Sequence, residues 1–136
     1  MEQKNYDKID WVLFIIRIVF GFRIFYGVAD NVFSWEHMVQ FEKFLASNGF
    51  PLPLLCAVTS VYAQFFSSLS WILGYQVRVS SLVMIINFFV AIIGFHVASG
   101  DSYLGMAPAI HLFAIAIMLY SLGSGKVSLD HFFKRS

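Results

Sequence analysis

Two arginines, Arg17 and Arg23, stand six residues apart inside an apolar run, residues 11–29, where a membrane-crossing helix ordinarily carries no charge. About 20 apolar residues cross a bilayer core of roughly 30 Å. At about 1.5 Å of rise per residue, Arg17 lies ~9 Å and Arg23 ~18 Å beyond Trp11. A cation near the bilayer centre costs about 2.5–3.5 kcal/mol on insertion scales, so other parts of the chain must compensate it, and it is a candidate functional group. At about 3.6 residues per turn the two side chains point roughly 120° apart. Only one can face a bundle axis; the other faces a neighbouring subunit or partner, and Asp30, seven residues beyond Arg23 on nearly the same face, draws its field outward.

Two amides reach the same depth. Gln64 lies about 16 Å below the outer end of its apolar run and Asn87 about 14 Å above the inner end of the next. Arg17, Arg23, Gln64 and Asn87 therefore read as a polar core, with Arg17 expected to hydrogen-bond Gln64 and to find a second partner in Asn87. The plainer reading is that the amides are interhelical glue, worth about 0.6 kcal/mol each, while the guanidiniums snorkel toward headgroups.

A second polar group, Asp30, Glu36, His37, His96, Asp101 and His111, collects where the runs leave the membrane on the other side. Imidazoles beside carboxylates suit metal or proton chemistry. No H-x-x-x-H or comparable ligand spacing accompanies them, so no metal site is assigned and each histidine serves equally well as an interfacial hydrogen-bonding residue. His96, closing the third run at the mouth of the bundle, is the member best placed for proton transfer. The sequence has no haem-ligand pair or flavin motif, and its one cysteine, Cys56, forms no internal thiol couple, so electrons would have to be held by a cofactor or partner.

The elements that position these residues follow from composition. The chain is 59% hydrophobic with 12% charged residues and a mean hydropathy of +0.74, a balance that excludes a soluble globular surface. Four apolar runs, about residues 11–29, 53–74, 78–98 and 106–123, each approach the length needed to span. The short connections between the last three force antiparallel neighbours. The expected fold is an all-α membrane protein, one domain over 1–136, with four transmembrane helices in an up-and-down antiparallel bundle. Between the first two spans, residues 34–48 place Met38, Phe41, Phe44 and Leu45 at helical spacing against Glu36, His37, Gln40 and Lys43. This predicts a short interfacial helix in the first outer loop, opened by Ser34 and stopped at Asn48-Gly49. Gly21, Gly27, Ser67, Ser68, Ser70 and Gly94 let helices approach closely.

Lys4, Lys8, Arg78, Lys126, Lys134 and Arg135 flank one face and only Lys43 the other, which places both termini in the cytoplasm. Trp11, Trp71, Tyr75 and Tyr120 are expected in the inner aromatic belt, Trp35 and Tyr103 in the outer one. No cleavable signal peptide is read at the N-terminus. A net charge of +1 without a basic run argues against nucleic acid as partner. Lipid is the certain partner, and a homo-oligomer is a further reading of the second arginine.

Arg17 followed by Gly21, the run from Phe44 to Pro53 (FLASNGFPLP), His96 closing the third span, and Gly123-x-Gly125 before Ser128-Leu129-Asp130 together resemble the DoxX family of small bacterial four-helix membrane proteins. The resemblance runs from Val12 to Asp130 and implies the bacterial inner membrane. Where the family often has His-Gly and a Lys three residues later, this chain has Tyr26-Gly27 and Asp30; where it often has Ala-Glu followed by Gly-Gly, this chain has Ala63-Gln64 and Ser67-Ser68. Members are associated with sulfur and thiol redox, including a thiosulfate:quinone oxidoreductase and a membrane complex with superoxide dismutase and a thiosulfate sulfurtransferase. The resemblance implies a redox setting, either as a non-catalytic anchor or assembly subunit for redox partners or, as the alternative, as the membrane subunit of a quinone-linked oxidoreductase. In the second case Arg17 and Gln64 would bind the quinone oxygen and His96 would handle protons, while the His and Glu positions best suited to proton chemistry are Tyr26 and Gln64 here.

The charge asymmetry is checked by cysteine labelling. A cysteine replacing Ser136 is expected to resist an impermeant thiol reagent in intact cells, and its labelling there would invert the topology.

Overall fold

The computed structural model describes residues 2–97 and 99–135, with side chains for 7–97 and 99–133. The first helix, α1 (Glu2–Phe33), is longer than its apolar run. The charge at Asp30 ends the hydropathy signal but nothing in Asp30–Phe33 breaks a helix, so the rod continues past the expected boundary. Ser34, with extended backbone (φ −131, ψ 114), separates it from α2 (Trp35–Ser47), and the Ser34 side chain makes no capping bond. The amphipathic face of α2 buries Met38 and Leu45, with Phe41 half-buried beside them. Phe44 remains 44% exposed, its ring lying 4.7 Å from that of Phe95. Gln40 and Lys43 are exposed.

Proline in the first turn, where no N–H is missed, opens α3 (Pro53–Leu73), which ends on left-handed Gly74. The next helix, α4 (Val77–Ala91), passes into a π-helical stretch, Ile92–Val97. Ser102 caps α5 (Tyr103–Leu122) by accepting the Gly105 N–H, and α6 (Leu129–Arg135) closes the described chain. Four segments, Asp7–Phe33, Pro53–Leu73, Val77–Val97 and Tyr103–Leu122, are long and apolar enough to cross a membrane, so the protein is an all-α membrane protein.

Each spanning helix packs on its chain neighbour, α1 on α3, α3 on α4 and α4 on α5, with α2 lodged against α1 and α3 at the end of the bundle that the charge asymmetry predicts to be the outer one. One core, including Leu13, Ile24, Trp71, Met84, Leu112 and Leu119, fills the inner and middle bundle. A second, Val28, Met38, Leu45, Ala57 and Val61, joins α2 to the outer end. Trp71 departs from the belt position expected for it. It has no exposed surface, and its indole Nε1–H donates to Ser81 Oγ at 3.1 Å, a partner for the ring N–H that makes burial affordable.

Helices α1 and α3 come closest at Gly21, where an added Cβ would stand 2.9 Å from Ile72 Cγ1 and 3.1 Å from the Ser68 carbonyl oxygen. Gly21→Leu should therefore lower the thermal midpoint in detergent by the equivalent of about 1–3 kcal/mol of overpacking. An unchanged midpoint would show that the crossing has slack.

Candidate functional site

Arg17 has no exposed surface, yet its guanidinium is not at the midplane. The side chain leans toward the start of α1, as the Cα–Cβ direction in a helix favours, and passes the Phe14 ring with Cζ 5.7 Å from its centroid. At the inner end Nη1–H donates to the Trp71 carbonyl at 3.1 Å and Nη2–H to the Val127 carbonyl. The Trp71 carbonyl is available because the N–H groups of Gly74 and Tyr75 both turn back to Ser70 O, at 2.8 and 3.0 Å. That leaves a last-turn carbonyl of α3 without a helical partner, and a cation there also meets the negative end of the helix dipole. Gly74 permits this twice over. Its φ of 73° is left-handed, and a Cβ would collide with Arg17 Nη1 and stand 2.6 Å from Ser128 Cβ.

The returning tail completes the arrangement. The Asp130 N–H donates to Gly74 O at 2.9 Å, and its carboxylate accepts the N–H groups of Gln76 at 2.6 Å and Val77 at 3.1 Å. A carboxylate on the positive end of α4 is favourable, and it supports Gln76 in a left-handed conformation, φ 47°, that a side chain rarely adopts. Arg17 Nε finds no hydrogen-bond partner among the described residues. The tail is fixed further by the Lys126 N–H donating to Asp10 Oδ1 at 3.1 Å.

Gln64 and Asn87 meet each other through Ser60 and not through Arg17. Gln64 Nε2–H donates to Ser60 Oγ at 3.1 Å, and Ser60 Oγ–H donates to Asn87 Oδ1 at 2.8 Å. The expected Arg17–Gln64 bond is corrected on this point. Arginine leans toward the inner end along its helix, where bare carbonyls are better acceptors for a cation than an amide already engaged, so the midplane keeps a neutral chain.

At the outer end His96 lies in the π-helical stretch and faces Asp101, Nδ1 to Oδ2 2.8 Å. A carboxylate only accepts, so Nδ1 carries the proton and Nε2 is left as the free position of the ring. Asp101 Oδ1 also accepts the Ser102 N–H at 2.9 Å. Gly105 makes room, since a Cβ would stand 2.7 Å from Asp101 Cγ. The hydrogen bond from His96 holds the Asp101 carboxyl below its ordinary value.

Arg23, Tyr26, Asp30 and His111 are exposed on the outside of the bundle and do not converge with His96. Tyr26, 74% exposed, stacks on Phe22 with ring centroids 6.3 Å apart. Among the described residues no three His, Cys, Asp or Glu side chains group in a way that would hold a metal ion. A groove of about 290 Å³ between α3 and α4 is lined by residues including Tyr62, Phe66, Ser67, Ser70, Gln76 and Ser80.

Residues the sequence reading did not assign to the core carry much of this. Trp71 and Val127 contribute backbone carbonyls, which leave no trace in residue type. Ser60 was legible, standing four residues before Gln64 on one helix face. Gly74 and Asp130 carried signals of their own, a glycine ending an apolar run and a carboxylate two residues after a serine that caps α6, its Oγ accepting the His131 N–H at 3.2 Å.

A family model described as DoxX matches residues 12–97, which includes Arg17, Gln64, Asn87 and His96 and stops short of Asp130. No curated protein and no solved structure matches the chain.

Arg17→Met strands two buried acceptors, each worth about 1–3 kcal/mol when unpaired, whereas Gln64→Leu removes a neutral bond worth about 1 kcal/mol. Thermal unfolding in detergent should show the first loss well above the second, with the tail newly open to protease; equal losses would count against the clasp. A depressed Asp101 pKa adds stability that is complete above the ordinary carboxylate range, near about 3.9, and is lost as pH falls through the lower folded value. Amide protection over residues 99–105, taken relative to the intrinsic exchange rate at each pH, should stay high at neutral pH and fall only on acidification below about 3.9, and Asp101→Asn should lower it already at neutral pH.

Proposed function

Because the chain belongs to the DoxX family, we propose that it is a non-catalytic anchor or assembly subunit for redox partners of sulfur, thiol or oxidative-stress chemistry. It works in the bacterial inner membrane with both termini in the cytoplasm. The observation that supports this reading is the use made of Arg17. Arg17, the one fully buried cation among the described residues, is committed to backbone carbonyls and lies under a C-terminal segment rather than in a cavity. Its output is a cytoplasmic end of fixed shape, where Asp130 holds the α3–α4 turn and Lys126 stands 3.7 Å from Asp7. A soluble partner docking there meets an ordered surface and loses little entropy in ordering it.

The groove between α3 and α4, lined by the hydroxyl-bearing Ser67, Ser70 and Ser80 and by the rings of Tyr62 and Phe66, supports the second reading, a membrane subunit of a quinone-linked oxidoreductase. Under that reading the headgroup would meet Ser67, Ser70, Ser80 and Gln76, since neither Arg17 nor His96 lines the groove.

Affinity purification from native membranes separates the two. The anchor reading expects soluble redox enzymes to co-purify with the intact chain and to be lost with Asp130→Ala, which frees the tail. Stoichiometric bound quinone, or quinone reduction by the purified chain with a sulfur donor, would instead establish the oxidoreductase role.

A further inference from the structure

Arg23 is the membrane-embedded charge that the fold does not satisfy. It is exposed, lies within the spanning segment Asp7–Phe33, and has no hydrogen bond or ion pair among the described residues. Its guanidinium runs outward along α1, over Gly27, whose missing Cβ would stand 3.1 Å from Nη1. Asp30, exposed on nearly the same face, likewise has no side-chain partner among the described residues. Seven residues put it about 10 Å along the axis from Arg23, too far for the two to pair within one helix as placed, yet a guanidinium at the level of Gly27 stands only about 4–5 Å of rise below it.

A second copy of α1 alongside, parallel and related by a two-fold axis along the membrane normal, supplies what is missing. A two-fold interface is self-complementary. The Arg23 of each copy meets the Asp30 of the other, giving two ion pairs where two separate copies have four unpaired groups. Exposed Gly27 lies between them and lets the backbones approach. The exposed residues Val12 and Val19 precede Arg23 on the same side of α1 at seven- and four-residue steps, the spacing of a helix-packing seam.

We propose that the protein forms a parallel homodimer through α1, held by reciprocal Arg23–Asp30 ion pairs across Gly27. The proposal does not depend on the anchor reading.

The full chain is tested in neutral phosphatidylcholine vesicles, where energy transfer between labelled copies reports association as the protein-to-lipid ratio is varied. Arg23→Asp and Asp30→Arg alone should each weaken the dimer at least tenfold, and the chain carrying both should recover to within about threefold of the original, because the exchange of charge restores both pairs. In a chain with Cys56→Ser, Val19→Cys, on the same exposed side of α1, should form an oxidant-dependent crosslinked dimer, a readout that stands even where a charge-reversed chain fails to insert. A monomer at every ratio, single reversals without effect, no recovery on exchange, or no crosslink at Val19→Cys would overturn the proposal. So would an Arg23→Asp chain that keeps its association and loses only retention of phosphatidylglycerol, which would make a lipid phosphate the partner.

Discussion

A guanidinium in a membrane helix must be given acceptors, and the inner half of this protein is arranged around giving them to Arg17. Its donors reach the C-terminus of α3 and the returning tail. For the first to be possible, α3 has to stop with a carbonyl unused, which Gly74 brings about by turning two N–H groups onto Ser70. For the second, the chain beyond α5 has to double back, which Gly123 and Gly125 allow with φ of 78° and 76°. Asp130 then holds the tail against the same turn by accepting the Gln76 and Val77 N–H groups. A buried charge with a free partner removed is costly in any low-dielectric medium, so these parts stand or fall as a set.

The outer half is organised by a different constraint, the covering of apolar surface where the bundle widens. The interfacial helix α2 places Met38 and Leu45 against α1 and α3, and Phe44 and Phe95 continue that contact toward α4. The π-helical stretch at Ile92–Val97 inserts extra residues into the end of α4, and one effect is to bring His96 onto Asp101. The two polar clusters, Arg17 with the returning tail and His96 with Asp101, thus lie at opposite ends of the bundle, with neutral Ser60, Gln64 and Asn87 bonded to one another between them.

The four spans, the interfacial helix and the family were legible because they rest on length, hydropathy and helical spacing, which are properties of residue type. The depth of Arg17 was misjudged for a physical reason. A backbone position read from rise per residue locates Cα, whereas the charge of an arginine ends several ångströms away in a direction set by the helix. Its partners were invisible for another reason, since the carbonyls of Trp71 and Val127 are common to every residue. Trp71 was placed in the aromatic belt by its distance from the end of the span, and the helix face it occupies, toward Ser81 on α4, overrode that. Gln64 and Asn87 are joined through Ser60, a hydroxyl that hydropathy does not single out.

The bond from Arg17 to Val127 joins positions 110 residues apart, and this fixes a schedule for biogenesis. During synthesis the first helix leaves the ribosome with its guanidinium unmet, and the acceptors from the tail emerge only after the fourth span has been made. Until α3 supplies the Trp71 carbonyl and the tail that of Val127, α1 carries Arg17 as well as Arg23 without acceptors, and its apolar residues alone hold it in the bilayer. A nascent chain that has not reached Val127 lacks one of the two bonds to the Arg17 guanidinium, so the segment after the fourth span is what secures the first.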